Sequence, residues 1–332
     1  MTRYATFAGV GSYLPERLVP NDWFESRVDT SDAWIRDRTG IEARHFVAEG
    51  ETTSDLATEA ARRALASAAI PAEQLDLIVC ATVTGDTNFP STAIWIQRKL
   101  GVSCPAYDVN AACSGYSYAA STGTAFVTSG MADTVLVIGA ESFSRIIDFT
   151  DRGTCILFGD GAGATVLTAA DAPGVEGSIL GADASAAEIL WMPVGGTREP
   201  TTHESLDAGA QYVRMPNGRE VFKRAVTEMS AACRELLDKS GYAVDEVDVL
   251  IPHQANARIM SAVVDRLKID PAKAIVDVAE VGNTSAASIP IALDRAWRRG
   301  AIHTGDLVLL TSFGAGLTWG ATLVRWTMPE AS

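Results

Sequence analysis

Apolar positions along this chain alternate between long continuous runs and helical periodicity, and their order predicts packed layers of strand and helix. Residues 4–10 read as a first strand, and a Pro-punctuated loop leads to a short helix that starts at Asp32 and ends at Gly40. Thr52 and Asp55 form a capping signal for a helix whose Leu56, Ala60, Ala64, Leu65 and Ala68 share one face. Residues 75–83 and 133–140 are continuous apolar strands, the mark of a sheet buried on both faces. Residues 106–109 end another strand, and residues 114–129, rich in Ala, Ser and Thr and closed by Gly130, read as a buried helix. Further on, Phe222, Ala225, Val226, Met229, Cys233, Leu236 and Leu237 trace an apolar helix face, with Gly241 at its end and a strand over 247–251 after it. Residues 195–218 are rich in Gly, Thr and Glu and lack periodicity, and at that length they are either a disordered linker or, the favoured reading, a functional loop over a site.

The second half repeats the first. Asp76 matches Asp248, Asp108-Val109 matches Asp277-Val278, and Asp133 matches Asp306, each at an offset of about 170 residues. This is the spacing of an internal duplication, two similar α/β units over 1–173 and 174–332, and is far too long for a solenoid.

Composition narrows the class. The chain has 332 residues, 47% hydrophobic and 20% charged, which suits a soluble enzyme with a large core. No apolar run reaches a membrane span, and the first residues lack the apolar stretch of a signal peptide. Cys80, Cys104, Cys113, Cys155 and Cys233 are scattered without CxxC spacing, so neither a zinc site nor a disulfide framework is expected, and a reducing cytoplasmic home follows. A net charge of −14 opposes nucleic-acid binding.

Cys113 stands between the strand ending at Val109 and the buried helix. Unpaired N–H groups and the helix dipole at such a turn favour a thiolate, lowering the pKa by one to several units from about 8.5. The same cysteine also fits the role of a small buried hydrophobe. His253 follows the 247–251 strand directly, where α/β sheets normally carry ligand chemistry, although a packed histidine occupies such places too. Asn283 lies in a turn leading into a helix, as a ligand-facing group or a cap. Gly314 to Gly320 links two strands either as a tight hairpin or as backbone that approaches a ligand. Phe158-Gly-Asp-Gly-Ala-Gly163 precedes a strand and does not open a helix, so it is a turn and not a dinucleotide fingerprint.

Ala112-Cys-Ser-Gly, Pro252-His-Gln-Ala-Asn-x-Arg258, Gly282-Asn-Thr-Ser-Ala-Ala-Ser-Ile-Pro290 and the Gly-x-Gly-x-Thr-Trp-Gly ending resemble β-ketoacyl-acyl carrier protein synthase III over essentially the whole chain. The resemblance implies the thiolase-like fold, a duplicated five-layer αβαβα architecture. It also implies a decarboxylating Claisen condensation of an acyl-CoA primer with malonyl-acyl carrier protein, initiating fatty acid synthesis without a metal or redox cofactor. In that scheme Cys113 takes the acyl group, and the N–H groups of Cys113 and Ala315 hold the oxyanion. His253 and Asn283 then donate hydrogen bonds to the enolate formed as CO₂ leaves. By the same resemblance, Trp34 and Arg152 sandwich the CoA adenine, Arg38 meets a phosphate, and Asn256 meets the pantetheine arm. Phe89 reaches the acyl pocket of the other subunit of a homodimer.

Two positions depart from the family pattern. The segment from Met215 to Phe222 is one residue longer, and the pair of adjacent lysines after the His-Gln-Ala-Asn motif is here Asp265-Arg266. An acidic carrier protein would therefore have to dock on Lys223, Arg224 and Arg258, with Arg266 a weaker candidate. Alternatives are a ketosynthase or acyltransferase of a secondary-metabolite pathway, a cysteine hydrolase using His253 as base, and a non-catalytic acyl-CoA-binding protein.

Overall fold

The computed structural model describes residues 3–331. The first half forms a five-stranded sheet from β1 (Tyr4–Tyr13), β2 (Leu77–Ala81), β3 (Ala106–Val109), β4 (Thr134–Ser142) and β5 (Asp160–Ala170), in the order β1-β5-β4-β2-β3. The second half repeats it with β6 (Val175–Ala182), β7 (Val249–Pro252), β8 (Leu307–Gly314) and β9 (Thr318–Arg325), in the order β6-β9-β8-β7. The sense of every pair that the two sheets share is the same. β5 is antiparallel to β1 and β4 as β9 is to β6 and β8, whereas β4 runs parallel to β2 as β8 does to β7.

The aspartates that reveal the repeat explain why it persists. The Asp76 N–H donates to Thr134 O (2.9 Å), and its carboxylate accepts from the N–H groups of Asp133 (2.7 Å) and Thr134 (3.0 Å). Asp248 repeats this against Leu307, donating to its carbonyl (3.0 Å) and accepting from its N–H (2.9 Å). Each aspartate thus aligns the entry of two parallel strands.

The second of the three anchors diverges. Asp108-Val109 lies in β3, but Asp277 precedes a short helix, Val278–Val281, and the corresponding strand shrinks to one bridge between Leu250 and Ala274. The Gln254 side chain is the physical reason. Its NH₂ donates to Ile275 O (3.1 Å) and its carbonyl accepts from the Asp277 N–H (2.6 Å), satisfying backbone groups that a strand would otherwise pair.

Helices α1 (Thr53–Ala68) and α2 (Thr92–Leu100) cover the outer face of the first sheet. α3 (Gly115–Thr128) and α6 (Ser288–Arg298) lie between the sheets, while α4 (Gly218–Ser240) and α5 (Ala257–Leu267) cover the second. The result is five layers, αβαβα. α1 begins at the expected box, in which the Thr52 N–H donates to the Asp55 carboxylate at 2.9 Å. The central layer is closed because α3 carries small residues: a Cβ on Gly123 would lie 2.9 Å from Leu167 and Val137 side-chain atoms. Among the described residues, no helix is long and apolar enough to cross a membrane.

Candidate active site

The turn that carries Cys113 is built from both halves. Ala112–Ser114 form one 3₁₀ turn before α3 starts at Gly115, and Ala112 takes a left-handed φ of 46°, uncommon for a residue with a Cβ. Thr318 Oγ1 donates to Ala111 O and Ser114 Oγ donates to Thr318 O, both at 2.9 Å, which ties the β8–β9 connection to the cysteine turn. A Cβ on Gly314 would lie 2.7 Å from Cys113 N, so the backbone approach there requires glycine.

The thiol does not have the lowered pKa that its place before a helix predicts. Burial pushes Cys113 up to about 12, the Ser285 hydroxyl and the residue's own N–H work against that rise, and buried Glu141 adds to it. A helix-end argument is local and counts only the dipole. Here the helix proper begins two residues later, and the residue is buried, so desolvation dominates. At rest Cys113 is therefore a neutral thiol.

His253 follows β7, with its N–H donating to Thr311 O at 2.7 Å. Its Nδ1 lies 2.6 Å from Ser288 Oγ, which also accepts from the Gln254 N–H at 3.3 Å. The Ser288 hydroxyl proton is then directed to Nδ1, and the network assigns the imidazole proton to Nε2. Burial pushes His253 down to about 3, so the ring is neutral at physiological pH and acts as a donor through Nε2–H. Asn283 Oδ1 accepts from the Ser285 N–H at 2.9 Å, which orients the amide; among the described residues its NH₂ donates to none. The Asn283 peptide is clamped by Leu157 O (2.9 Å) and the Gly159 N–H (3.0 Å), so the Phe158-Gly-Asp turn serves to position it.

Cys113, His253 and Asn283 line one cavity of about 730 Å³, together with Met215, Phe222 and Asn256. Cys113 also lines a second, apolar cavity of about 1020 Å³ with Phe143, Ile146, Trp191, Val213 and Ala315. The 195–218 loop thus contributes to both cavity walls. Sequence reasoning missed Ser285, Ser288, Gln254 and Glu141. Both serines stand inside a quoted motif, but their partners lie far away in the chain.

The remaining expected residues divide. Trp34 and Arg152 do not form an open slot: the guanidinium sits 4.9 Å from the indole centroid, too close for a ring between them, and donates to Asp29 O (2.7 Å). Arg38 lies 5.8 Å from the same indole. The Asn256 side chain caps α5 through the Arg258 N–H (2.8 Å) and donates to Arg38 O (3.2 Å), so it is held in place at both ends. Lys223 and Arg258 are exposed, and among the described residues neither is ion-paired. Arg224 is not available to a partner: it pairs with Asp183 and Glu228, because its place on α4 points it back at the chain's own carboxylates. Phe89 is 86% exposed and lines neither cavity of its own chain.

Comparison with known proteins follows the same lines. The family models for 3-oxoacyl-[acyl-carrier-protein (ACP)] synthase III match residues 107–184, and residues 237–326 for its C-terminal part. β-Ketoacyl-[acyl-carrier-protein] synthase III of Xylella fastidiosa is 51% identical over 97% of this chain and 98% of its own length. The enzyme of that name from Caldanaerobacter subterraneus subsp. tengcongensis is 48% identical with the same coverage. The crystal structure of the synthase III from Aquifex aeolicus superimposes with a TM-score of 0.89 at 44% identity, covering 97% of this chain and all of that one. The priming β-ketosynthase of the R1128 polyketide pathway gives 0.92 at 34% identity, covering 99% and 98%. With this thiolase-like fold and near-full-length identity of about half, the chain belongs to the β-ketoacyl-acyl carrier protein synthase III family of acyltransferases.

Proposed function

We propose that this enzyme condenses an acyl-CoA primer with malonyl-acyl carrier protein, releasing CoA and CO₂ and giving the β-ketoacyl-acyl carrier protein that starts fatty acid synthesis. The observation that carries this reading is the convergence of one thiol and two neutral N–H donors on a single cavity, Cys113 against His253 and Asn283. The Cys113 sulfur attacks the primer thioester, and the N–H groups of Cys113 and Ala315 stabilise the oxyanion, at roughly 3 kcal/mol per donor. CoA leaves, the malonyl thioester enters, and Nε2–H of His253 with the Asn283 NH₂ holds its oxygen while CO₂ departs. The enolate attacks acyl-Cys113, and no metal or redox group is needed for that sequence. A hydrolase would require His253 as a base toward Cys113, which the donor tautomer and the depressed pKa oppose.

Acyl-CoA would lie over Trp34, Arg152 and Arg38, with its arm passing Asn256, and the apolar cavity beside Cys113 would take the primer chain. The carrier protein would dock at Lys223 and Arg258. A second copy would cover β3, an edge strand paired on one side only, and accept the exposed Phe89. The test is label transfer from radioactive acyl-CoA to Cys113, followed by chase with malonyl-acyl carrier protein. Stable labelling and then a labelled β-ketoacyl product are expected, whereas release of free acid without the carrier protein would sink the reading.

A further inference from the structure

Arg44 stands where the pattern of its strand calls for an apolar residue. Ala43–Phe46 pairs antiparallel with Arg17–Pro20, and its buried positions are Arg44 and Phe46. Arg44 is fully buried, and among the described residues no carboxylate pairs with it. Burial pushes its pKa down to about 10, which still leaves a cation at neutral pH. An unpaired charge is costly to bury, so its place needs a reason. The guanidinium lies 4.6 Å from the Phe24 ring centroid and bonds only neutral acceptors. Nη1 donates to Asn21 Oδ1 (2.8 Å) and Val19 O (3.3 Å), Nη2 donates to Ile156 O (2.6 Å), and Nε has no partner.

What this side chain fastens is the frame of Asn283. Ile156 directly precedes Leu157, whose carbonyl accepts from the Asn283 N–H at 2.9 Å, and the Gly159 N–H donates to Asn283 O at 3.0 Å. The Arg44 stem packs against both sides of that clamp: a Cβ on Gly159 or on Gly282 would lie 3.0 Å from Arg44 Cβ. Glu42, two residues earlier, donates its N–H to Ala279 O at 2.7 Å and ties the same strand to the helix before Asn283. Arg44 lines neither cavity, whereas Leu157, Phe158 and Asn283 line the one that holds His253.

We propose that Arg44 is a positioning residue for Asn283, its stem and guanidinium fork fixing the two backbone segments that aim the amide at the malonyl thioester. This rests on the reading of Asn283 as a donor in decarboxylation. Methionine at 44 would fill the space of the stem and leave Ile156 O, Val19 O and Asn21 Oδ1 without that donor, so the clamp would lose its anchor and keep its packing.

The experiment measures CO₂ release from malonyl-acyl carrier protein and single-turnover label transfer from radioactive acyl-CoA. It uses native enzyme, Arg44→Met, Arg44→Lys, Asn283→Ala and the double variant Arg44→Met with Asn283→Ala. Arg44→Met should slow CO₂ release at least about tenfold, part of the roughly hundredfold that a misplacement of about 1 Å costs. Label transfer, which belongs to Cys113, should stay at the native rate. Arg44→Lys keeps the charge and one donor nitrogen and should recover part of the loss. With Asn283→Ala already in place, Arg44→Met should slow CO₂ release no further, because residues that act through one another do not add. A loss that does add to that of Asn283→Ala, or an equal fall in both steps, marks a general structural role and overturns the proposal. Native rates in Arg44→Met overturn it as well. If Arg44→Met fails to fold, Arg44→Lys decides on the same two steps. Native CO₂ release by Asn283→Ala overturns the reading of Asn283, and the proposal with it.

Discussion

Ala112–Ser114 before α3 and Ser285–Ala287 before α6 are one turn built twice: a left-handed residue, a 3₁₀ turn, then a helix buried between the sheets. Each turn presses into the sheet of the other half. A Cβ on Gly314 would lie 2.7 Å from Cys113 N, and one on Gly139 would lie 2.2 Å from Ala286 O. The conformations match and the side chains do not. The first turn places a thiol where the second has Ala286, and the second places hydroxyls, Ser285 and Ser288, where the first has Ala112 and Gly115. Both hydroxyls are engaged, Ser285 donating to Glu141 across the halves and Ser288 lying 2.6 Å from His253 Nδ1 within its own. The two turns share one backbone conformation and differ in the side chains they present.

That division is most directly broken by removing each reactive group. Cys113→Ala should abolish label transfer from acyl-CoA while leaving CO₂ release intact. His253→Ala should still take the label and lose CO₂ release by about 10²–10³-fold, the usual cost of one oxyanion donor. Measuring both steps on both variants checks it, and any variant that loses both steps contradicts separate roles. Next in size are Gly314→Ala and Gly139→Ala. Overpacking typically costs about 1–3 kcal/mol, and here backbone stands in the way, so a clear fall in Tm is expected for both. Calorimetry that finds either variant as stable as native would refute the reciprocal insertion.

Much of this was legible in the chain itself, because the candidate site residues sit in local patterns. Cys113 at a strand-to-helix turn, His253 behind a strand and Asn283 before a helix can each be read from ten residues, and the aspartate anchors expose the repeat. What could not be read depends on packing between distant segments. Glu141 ends an apolar run, and only the fold brings Ser285 to it from the other half. The Cys113 pKa depends on packing for the same reason, since a helix dipole is local and desolvation is not. Arg224 reads as a free cation from its neighbours in sequence, but it pairs with Asp183, 41 residues upstream. Asp277-Val278 matched a strand in sequence and lost it to the Gln254 amide.

Smaller effects sharpen the comparison on the histidine side. Because burial pushes His253 to about 3 from its ordinary 6.5, the unfolded chain binds a proton below pH 6.5 that the folded chain refuses. Stability should therefore fall as pH drops from 6.5 toward 3, by at most roughly 1.4 kcal/mol per pH unit from this group. Denaturant midpoints of native and His253→Gln enzyme should diverge over that window, and parallel curves would count against a neutral buried ring. Ser288→Ala removes the bond that sets the tautomer. A hydrogen bond of this kind contributes about 1 kcal/mol, so CO₂ release should slow about fivefold with label transfer unchanged.

The smallest expected effect concerns how the second half receives its substrate. A chain of net charge −14 repels an acidic carrier protein in bulk, so attraction has to be local, within a Debye length of about 8 Å at physiological salt. With Arg224 neutralised by Asp183 and Glu228, Lys223 and Arg258 are left as exposed cations beside the cavity that holds His253 and Asn283. Charge reversal at either should weaken use of malonyl-acyl carrier protein a few-fold at low salt, the scale of a rim charge acting on association. The same change should leave labelling by acyl-CoA less affected, since that step belongs to Cys113. Added salt should depress carrier-protein use by the native enzyme and much less by the reversed variants, because screening removes only an attraction that is present. Arg224→Glu, by contrast, sets a third carboxylate beside Asp183 and Glu228 and should lower Tm. If Lys223→Glu and Arg258→Glu both keep the native apparent affinity at low salt, the carrier protein enters over another surface.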